Sequence, residues 1–567
     1  MSAEEPLSLS FSISGSEKTK VPVASPYPTD ERAKVQTVRC TGAVYLFGPE
    51  LDIVDSPEFQ RLQGIKQLGT SYFVFRGAVH TRFEHSLGTL QTAERIIQAV
   101  NGNSKEGPKI DGKGRRVARL AALLHDLPHV PFGHTLEDEF GLLERHDENQ
   151  PRLEALLRSS GIGEVLEQQL APDERDLLWD VLGLGLEPGA GDKDALLAER
   201  LGSYAYVADI VANTVCADAL DYIVRDLSAC GLPVALGDRF LDFFDISPSD
   251  APVAANRNRM ALRLDKRGMP RPDVESEIIK LLTFRYELAE RVFFHHAKNA
   301  ASVMIGEAVR LLELHKWDKN FHYLSDETLL AVLAHPKSGP ALGLKMSKIE
   351  AAARDVAAEL GRLVQQRRFY KLAYLGVADD DTERRADDIY ERWGDVDGRV
   401  ALQGELAARA GIDPSRVLVH LPTPKMMAKL ARVRVLLEHD TVVTFEQLEE
   451  LHSGRVQALN KAHERLWRVG VYLHPDEHGE LDTRRLVGSA ARDLFGIRSR
   501  YVEHEVDQPY LATVYDIYSS DRWGESDREK TIRKAAEVAA SSTQPSSLQS
   551  AIDLIDAVVG VEGEPDA

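Results

Sequence analysis

A histidine and an aspartate stand side by side at His125-Asp126, inside the apolar run ARLAALLHDLPH. Burying that pair among Leu and Ala is costly unless something pairs with it. A divalent metal is the obvious partner, because neutral imidazole and ionised carboxylate are both good ligands. The remaining ligands must come from elsewhere in the chain, and His85 in RFEHS and Asp218 in ADALDYIVRD are the candidates. Two imidazoles and two carboxylates with open positions suit a catalytic Mn, Fe, Mg, Co or Zn ion. His129 follows one helical turn after His125, and His134 comes after the break imposed by Pro131 and Gly133. With His146, these could donate protons or pair with phosphate, and Glu137 could orient one of them.

A plainer reading applies to each residue taken alone. The chain has 18 histidines, and His-Asp pairs recur at His146-Asp147 and His439-Asp440 in different settings. Arg82 by itself reads as a surface or ion-pair arginine. Asp218, Asp221, Tyr222 and Arg225 share one side of a helix and could equally form a polar seam between helices.

The elements that must carry these residues are mostly helical. SPEFQRLQGIKQLG predicts a helix with Ser56 as N-cap, Pro57 in first position, and Phe59, Leu62 and Ile65 on one face. One helix is expected from near His85, another over Val117 to Asp126. A single strong helix is expected through SYAYVADIVANTVCADALDYIVRDLSAC, and a long helix or kinked pair over Pro272 to His315. VQTVRCTGAVYLFG reads as a β-hairpin broken at Gly42, and RMALRLDKRG as another. GLGLEPGAGDK lacks the Ser or Thr after lysine and the preceding strand of a phosphate loop, so it reads as a surface loop. Beyond residue 320, amphipathic helices alternate with β-like runs, which suggests a mixed α+β lobe.

The bulk numbers bound the function. The 567 residues are 43% hydrophobic and 28% charged, ordinary for a globular protein. No apolar run approaches the roughly 20 residues of a membrane span. The start of the chain does not read as a secretory signal. Cys40, Cys216 and Cys230 show no CxxC spacing, which fits a reduced, cytoplasmic location. A formal charge of −20 argues against general nucleic-acid binding.

The stretches FQRLQGIKQLGTSYFVFRGAVHTRFEHSLG, LLHDLPHVPFGH and DALDYIVRD, in that order, closely resemble the HD-domain phosphohydrolases. Within them the resemblance is to the deoxynucleoside triphosphate triphosphohydrolases, and it covers roughly residues 40–305. It implies a mainly α, HD-type helical fold with small β-hairpins and one catalytic divalent ion held by His85, His125, Asp126 and Asp218. The phosphate-contacting arginine falls on Arg82, and the active-site histidines on His129 and His134, with Glu137 as acidic partner. Another phosphate contact falls on His146. The sugar-side residues fall on Tyr222 and Asp226, and the glutamine-leucine pair on Gln67 and Leu68. The implied reaction is attack of water, polarised by the ion, at the α-phosphorus of a dNTP, giving deoxynucleoside and triphosphate. A homo-oligomer and a nucleotide activator are implied as well.

The chain departs from the pattern at several points. Ala219 stands where the vertebrate enzyme has lysine, Gln63 where it has a regulatory arginine, and Phe294 where tyrosine is common. VRCTGAV replaces the family's DPxHG segment. The alternatives are therefore an HD phosphohydrolase acting on another nucleotide, or a non-catalytic nucleotide-binding regulator. The expected organisation is a disordered arm over 1–35, an HD domain over 36–320, an α+β lobe over 321–540, and a linker with acidic tail over 541–567.

Overall fold

The structure, a computed structural model, describes residues 24–28, 30, 32–103, 109–184, 193–237, 239–266, 269–377, 382–423, 433–452, 454–497 and 499. The start of the expected arm, the centre of the Gly-rich loop and the 541–567 linker and tail lie outside these residues. Helices predominate and the sheets are small, as the sequence reading expects. Two compact units are present: Met1–Phe369 with Ala378–Val396 and His420–Trp467, and Tyr370–Val377 with Asp397–Val419 and Arg468–Ala567.

The first unit is built around α1 (Arg82–Asn103) and α2 (Gly112–Leu124). Asp111 caps α2 by accepting the Gly114 N–H at 2.7 Å, and Val117, Ala118 and Leu120 to Leu124 are buried. The helix therefore ends inside the core, with His125 at its C-cap and Asp126 in the following turn. Both helices start earlier than the sequence reading places them. The expected N-terminal features hold: Ser56 Oγ caps Pro57–Gln60, Phe59, Leu62 and Ile65 are buried, and Ala33–Val38 pairs antiparallel with Gly42–Phe47.

The last part of the expected arm is tied down. Arg115 and Arg116 of α2 donate to the Ala24 and Pro26 carbonyls, and the Tyr27 hydroxyl meets the buried Glu50 carboxylate at 3.2 Å.

The single helix expected over residues 203–230 is two: Ala205–Val211 and α3 (Ala217–Ala229). Asn213 makes the break, because its side-chain oxygen accepts the Thr214 N–H at 2.6 Å while its amide donates to Asp209 at 3.2 Å. Cys216 then caps α3, its Sγ accepting the Ala219 N–H, which places Asp218 in the first turn. Met260–Arg263 is not a hairpin arm. It pairs antiparallel with Phe244–Ile246 and parallel with Arg434–Leu436 in a four-stranded sheet. Only Asp265–Lys266 and Met269–Pro270 form a local turn pair.

Pro272–Leu288 and α4 (His296–Leu311) are the kinked pair expected, joined by a wide π turn at Ala289–Phe293. The first unit continues past residue 320 through α5 (Asp326–Ala334) and Ala351–Gln365, which packs on α4 and α5. The second unit holds a three-stranded sheet ordered Lys371–Val377, Arg468–Leu473, Val417–His420, with Leu481–Phe495 against its first strand.

Candidate metal centre and active site

Three helices bring the four expected ligands together. His85 sits in the first turn of α1, His125 and Asp126 at the end of α2, and Asp218 at the start of α3. His85 Nε2 lies 3.0 Å from Asp218 Oδ1 and 3.6 Å from Asp126 Oδ2. His125 Nε2 lies 3.6 Å from Asp126 Oδ1 and 3.7 Å from Asp218 Oδ1. One donor atom each from His85, His125 and Asp218 lies within 4.8 Å of the others.

The donor set fits a divalent ion. The Nε2 atoms of His85 and His125 are buried and make no hydrogen bond, although carboxylates stand close by. Their Nδ1 atoms are engaged, His85 with Asp221 Oδ2 at 2.9 Å and His125 with the Ala122 carbonyl at 2.9 Å. Fixing Nδ1 as the donor leaves the Nε2 lone pair free, the usual arrangement of a metal-binding imidazole. Burial disfavours charge on His85, but Asp218 and Asp221 outweigh it and lift its pKa to about 10. Burial likewise opposes the Asp126 carboxylate, but Arg82 and the imidazoles of His125 and His129 hold it well below the usual range.

Asp221 is the support that sequence reasoning placed in the polar stripe without giving it a role. It also takes a bidentate pair from Arg225 at 2.8 Å and faces Gly88, where an added Cβ would lie 2.1 Å from its Oδ1. Glycine at position 88 is what lets α3 approach α1 this closely. Asp221→Asn should weaken divalent-ion affinity about 10–100-fold, read by metal titration. Unchanged affinity would show that the His85 ring is oriented by something else.

A second cluster adjoins the first. His129, 1% exposed, has Nε2 3.2 Å from Asp126 Oδ1 and stacks on His146 with ring centres 3.6 Å apart. Burial, with Arg82 and His146 nearby, pushes its pKa well below the histidine range, so the ring is neutral. Burial also opposes charge on His146, but Glu137, 3.0 Å from its Nδ1, outweighs this and raises its pKa. His134 pairs with Asp138 at 2.7 Å and stands 3.8 Å from Glu137, so the closer acidic partner is one residue further on than expected.

Arg82 donates to Asp126 Oδ2 at 2.6 Å and reaches the Gln67 carbonyl at 3.4 Å. The Gln67 side-chain oxygen is buried and unpartnered, and Leu68 is buried beside it. Tyr222 and Asp226 follow Asp218 on one face of α3. Burial pushes the Tyr222 phenol up to about 12. Asp226 is buried and pairs with His80 Nε2 at 2.7 Å, so its carboxylate is already engaged.

Three further residues position the cluster. Arg61 donates to the carbonyls of Leu127 and His129 at 2.7 and 2.8 Å. Arg152 lies 3.5 Å from Glu137 and pairs with Asp318. Asp326 accepts the Phe132 N–H at 2.7 Å, at a residue held at φ 59°. The i+4 spacing could have pointed to Asp138, whereas Arg61, Arg152 and Asp326 act from afar and leave no local signal.

A His…His-Asp…Asp set carried on three packed helices, with a histidine ring beside it, defines an HD domain. Residues 82–170 match the HD domain family and residues 278–506 match the HD associated region, and the chain belongs to the HD-domain phosphohydrolases. It is 34% identical over 214 residues to the deoxynucleoside triphosphate triphosphohydrolase SAMHD1 of Bos taurus, covering 35% of this chain and 36% of the relative. The Homo sapiens SAMHD1 is 30% identical over 270 residues, covering 45% and 41%. The uncharacterized protein YwfO of Bacillus subtilis is 29% identical over 265 residues, covering 47% and 52%. The chain thus spans about a third to a half of the length of these relatives. No helix among the described residues is long and apolar enough to cross a membrane.

Proposed function

We propose that the protein hydrolyses deoxynucleoside triphosphates to deoxynucleoside and inorganic triphosphate. The observation that carries this reading is the convergence of His85, His125, Asp126 and Asp218 beside a ring of His129, His134 and His146. The triphosphohydrolase named among its relatives supports the choice of substrate. A divalent ion on the four ligands would supply Lewis-acid charge next to the α-phosphate.

The chain's own residues account for the rest. Arg82 balances charge on the phosphate oxygens, and Gln67, Leu68 and Tyr222 line the approach of the nucleoside. Neutral His129 accepts the proton of the attacking water as oxygen bonds to the α-phosphorus. The phosphorus–O5′ bond breaks, and His134, oriented by Asp138, donates a proton to the departing 5′ oxygen. Glu137 holds His146 against the β- and γ-phosphates. Placement and charge do most of the work in chemistry of this kind. The same reading includes a cytoplasmic homo-oligomer, whereas Gln63 and the VRCTGAV segment, which depart from the family's regulatory residues, speak against control by a nucleotide activator.

Ala219 favours a second reading. It is a buried alanine where the family's vertebrate member offers a lysine to phosphate, which suits a nucleotide with a shorter phosphate chain. Incubating metal-loaded protein with each dNTP, NTP and dNMP and separating the products decides between them. Deoxynucleoside plus triphosphate is the expected result, and orthophosphate or pyrophosphate would move the assignment to the second reading. His129→Ala should keep the ion and lose about 10²–10⁴-fold in turnover. Loss of the ion from that variant would show that His129 is a ligand instead.

A further inference from the structure

Beside the His85–His125–Asp218 group, further donor atoms converge around the Thr135–Glu139 turn. Glu137 Oε2 lies 3.0 Å from His146 Nδ1 and 3.8 Å from His134 Nδ1. One donor atom each from His134, Glu137 and His146 lies within 4.8 Å of the others. Asp138 Oδ2 adds a fourth, 2.7 Å from His134 Nδ1. Arg145 donates to Asp138 Oδ1 at 2.8 Å, and Arg152 stands 3.5 Å from Glu137 Oε1. Asp138 Oδ2 and Glu137 Oε2 face the imidazoles. A buried, unpartnered group also points here: His129 makes no hydrogen bond at either ring nitrogen, and its Nδ1 is 4.0 Å from Glu137 Oε2.

We propose that His134, Glu137 and His146 form a second divalent-cation site, with Asp138 in support, whose occupancy by a zinc-class ion stops turnover. Zinc–nitrogen bonds of about 2.0–2.1 Å in a tetrahedral site set ligand atoms about 3.4 Å apart. The observed separations of 3.0 and 3.8 Å bracket that value. Two imidazoles and a carboxylate select Zn²⁺, Co²⁺ or Ni²⁺ over Mg²⁺ or Ca²⁺, which take all-oxygen shells. The ion has a way in, because the His134 side chain is 42% exposed. It replaces the protons that now bridge the Nδ1 atoms to Glu137 and Asp138. The lone pairs that would move protons at the first site are then taken up by the ion.

Equilibrium dialysis of the full chain against Zn²⁺, with ions counted per chain, tests this without reference to any nucleotide. Wild type should bind two ions. His134→Ala and Glu137→Gln should each bind one tightly, with the second weakened more than the roughly 10–100-fold cost of losing an outer-shell partner. Asp218→Ala should lose the first ion and keep the second. Glu137→Gln is nearly isosteric, and circular dichroism reports whether each variant is folded. A single ion per wild-type chain at saturating zinc would overturn the proposal, as would a second ion bound with unchanged affinity in both His134→Ala and Glu137→Gln. Turnover should fall as the second ion binds, and a rate indifferent to it would overturn the inhibitory role.

Discussion

Alanine at His125 should leave a folded protein that holds its ion at least about 100-fold more weakly and turns over at least about 10³-fold more slowly. The first number exceeds the cost of losing an outer-shell partner, because a ligand itself is lost. The second follows from the several kcal/mol that a Lewis-acid ion contributes, at about 1.4 kcal/mol per factor of ten. The fold should survive because His125 sits at the C-cap of α2, partly exposed, and its ring makes one hydrogen bond, to Ala122. Metal titration and product analysis on the same sample check both effects. Full ion affinity in the variant would mean that His85, Asp126 and Asp218 suffice, and that His125 is a bystander.

Arg119→Met should cost about 3–5 kcal/mol of stability without touching the site, the penalty for stranding a buried charge. Arg119 of α2 is fully buried. It grips both Glu50 oxygens at 2.7 Å, reaches Glu94 at 3.0 Å and donates to the Tyr45 carbonyl at 2.7 Å. Removing it leaves Glu50 with the Tyr27 hydroxyl and the Phe47 N–H, while Glu94 keeps Arg115. Urea unfolding should show the loss. Adding Glu50→Gln should recover part of it, because an amide is cheaper to bury than an unpaired carboxylate. A single-variant loss under about 1 kcal/mol would place the stability of this region in its apolar packing instead.

The proximity of the candidate ligands is legible because these residues are chemically out of place in apolar helices, and a buried His or Asp must be matched by something. His85, His125 and Asp218 bring donor atoms within 4.8 Å of one another, and Asp126 oxygens lie 3.6 Å from His85 and from His125. Their supports were harder to read. Thr135–Glu139 winds as a π turn, with Phe140 N–H bonded to the Thr135 carbonyl, a widening that apolar periodicity does not register. Asp138 meets His134 at i+4 spacing, and Glu137 meets His146 across the turn. The break before α3 depends on Asn213 bonding locally, a competition between side chain and helix that periodicity does not register. The parallel pairing of Met260–Arg263 with Arg434–Leu436 is set by tertiary packing alone. The turn ahead of His134 also requires Gly133, held at φ 51°, where a Cβ would press within 3.1 Å of Arg82.

Asp326 links parts of the chain that similarity would separate. Its two carboxylate oxygens receive the backbone N–H groups of Lys66 and of Phe132, the latter between His129 and His134. The HD match stops at residue 170, so this clasp is supplied by a helix belonging to the associated region. Excising residues 82–170, or splicing them onto another member's downstream half, would take away the anchor that sets the Phe132 bend along with Asp218. The bend that carries the histidines is in that sense braced from outside the stretch that similarity marks out, and the edges of the match are not the edges of its support.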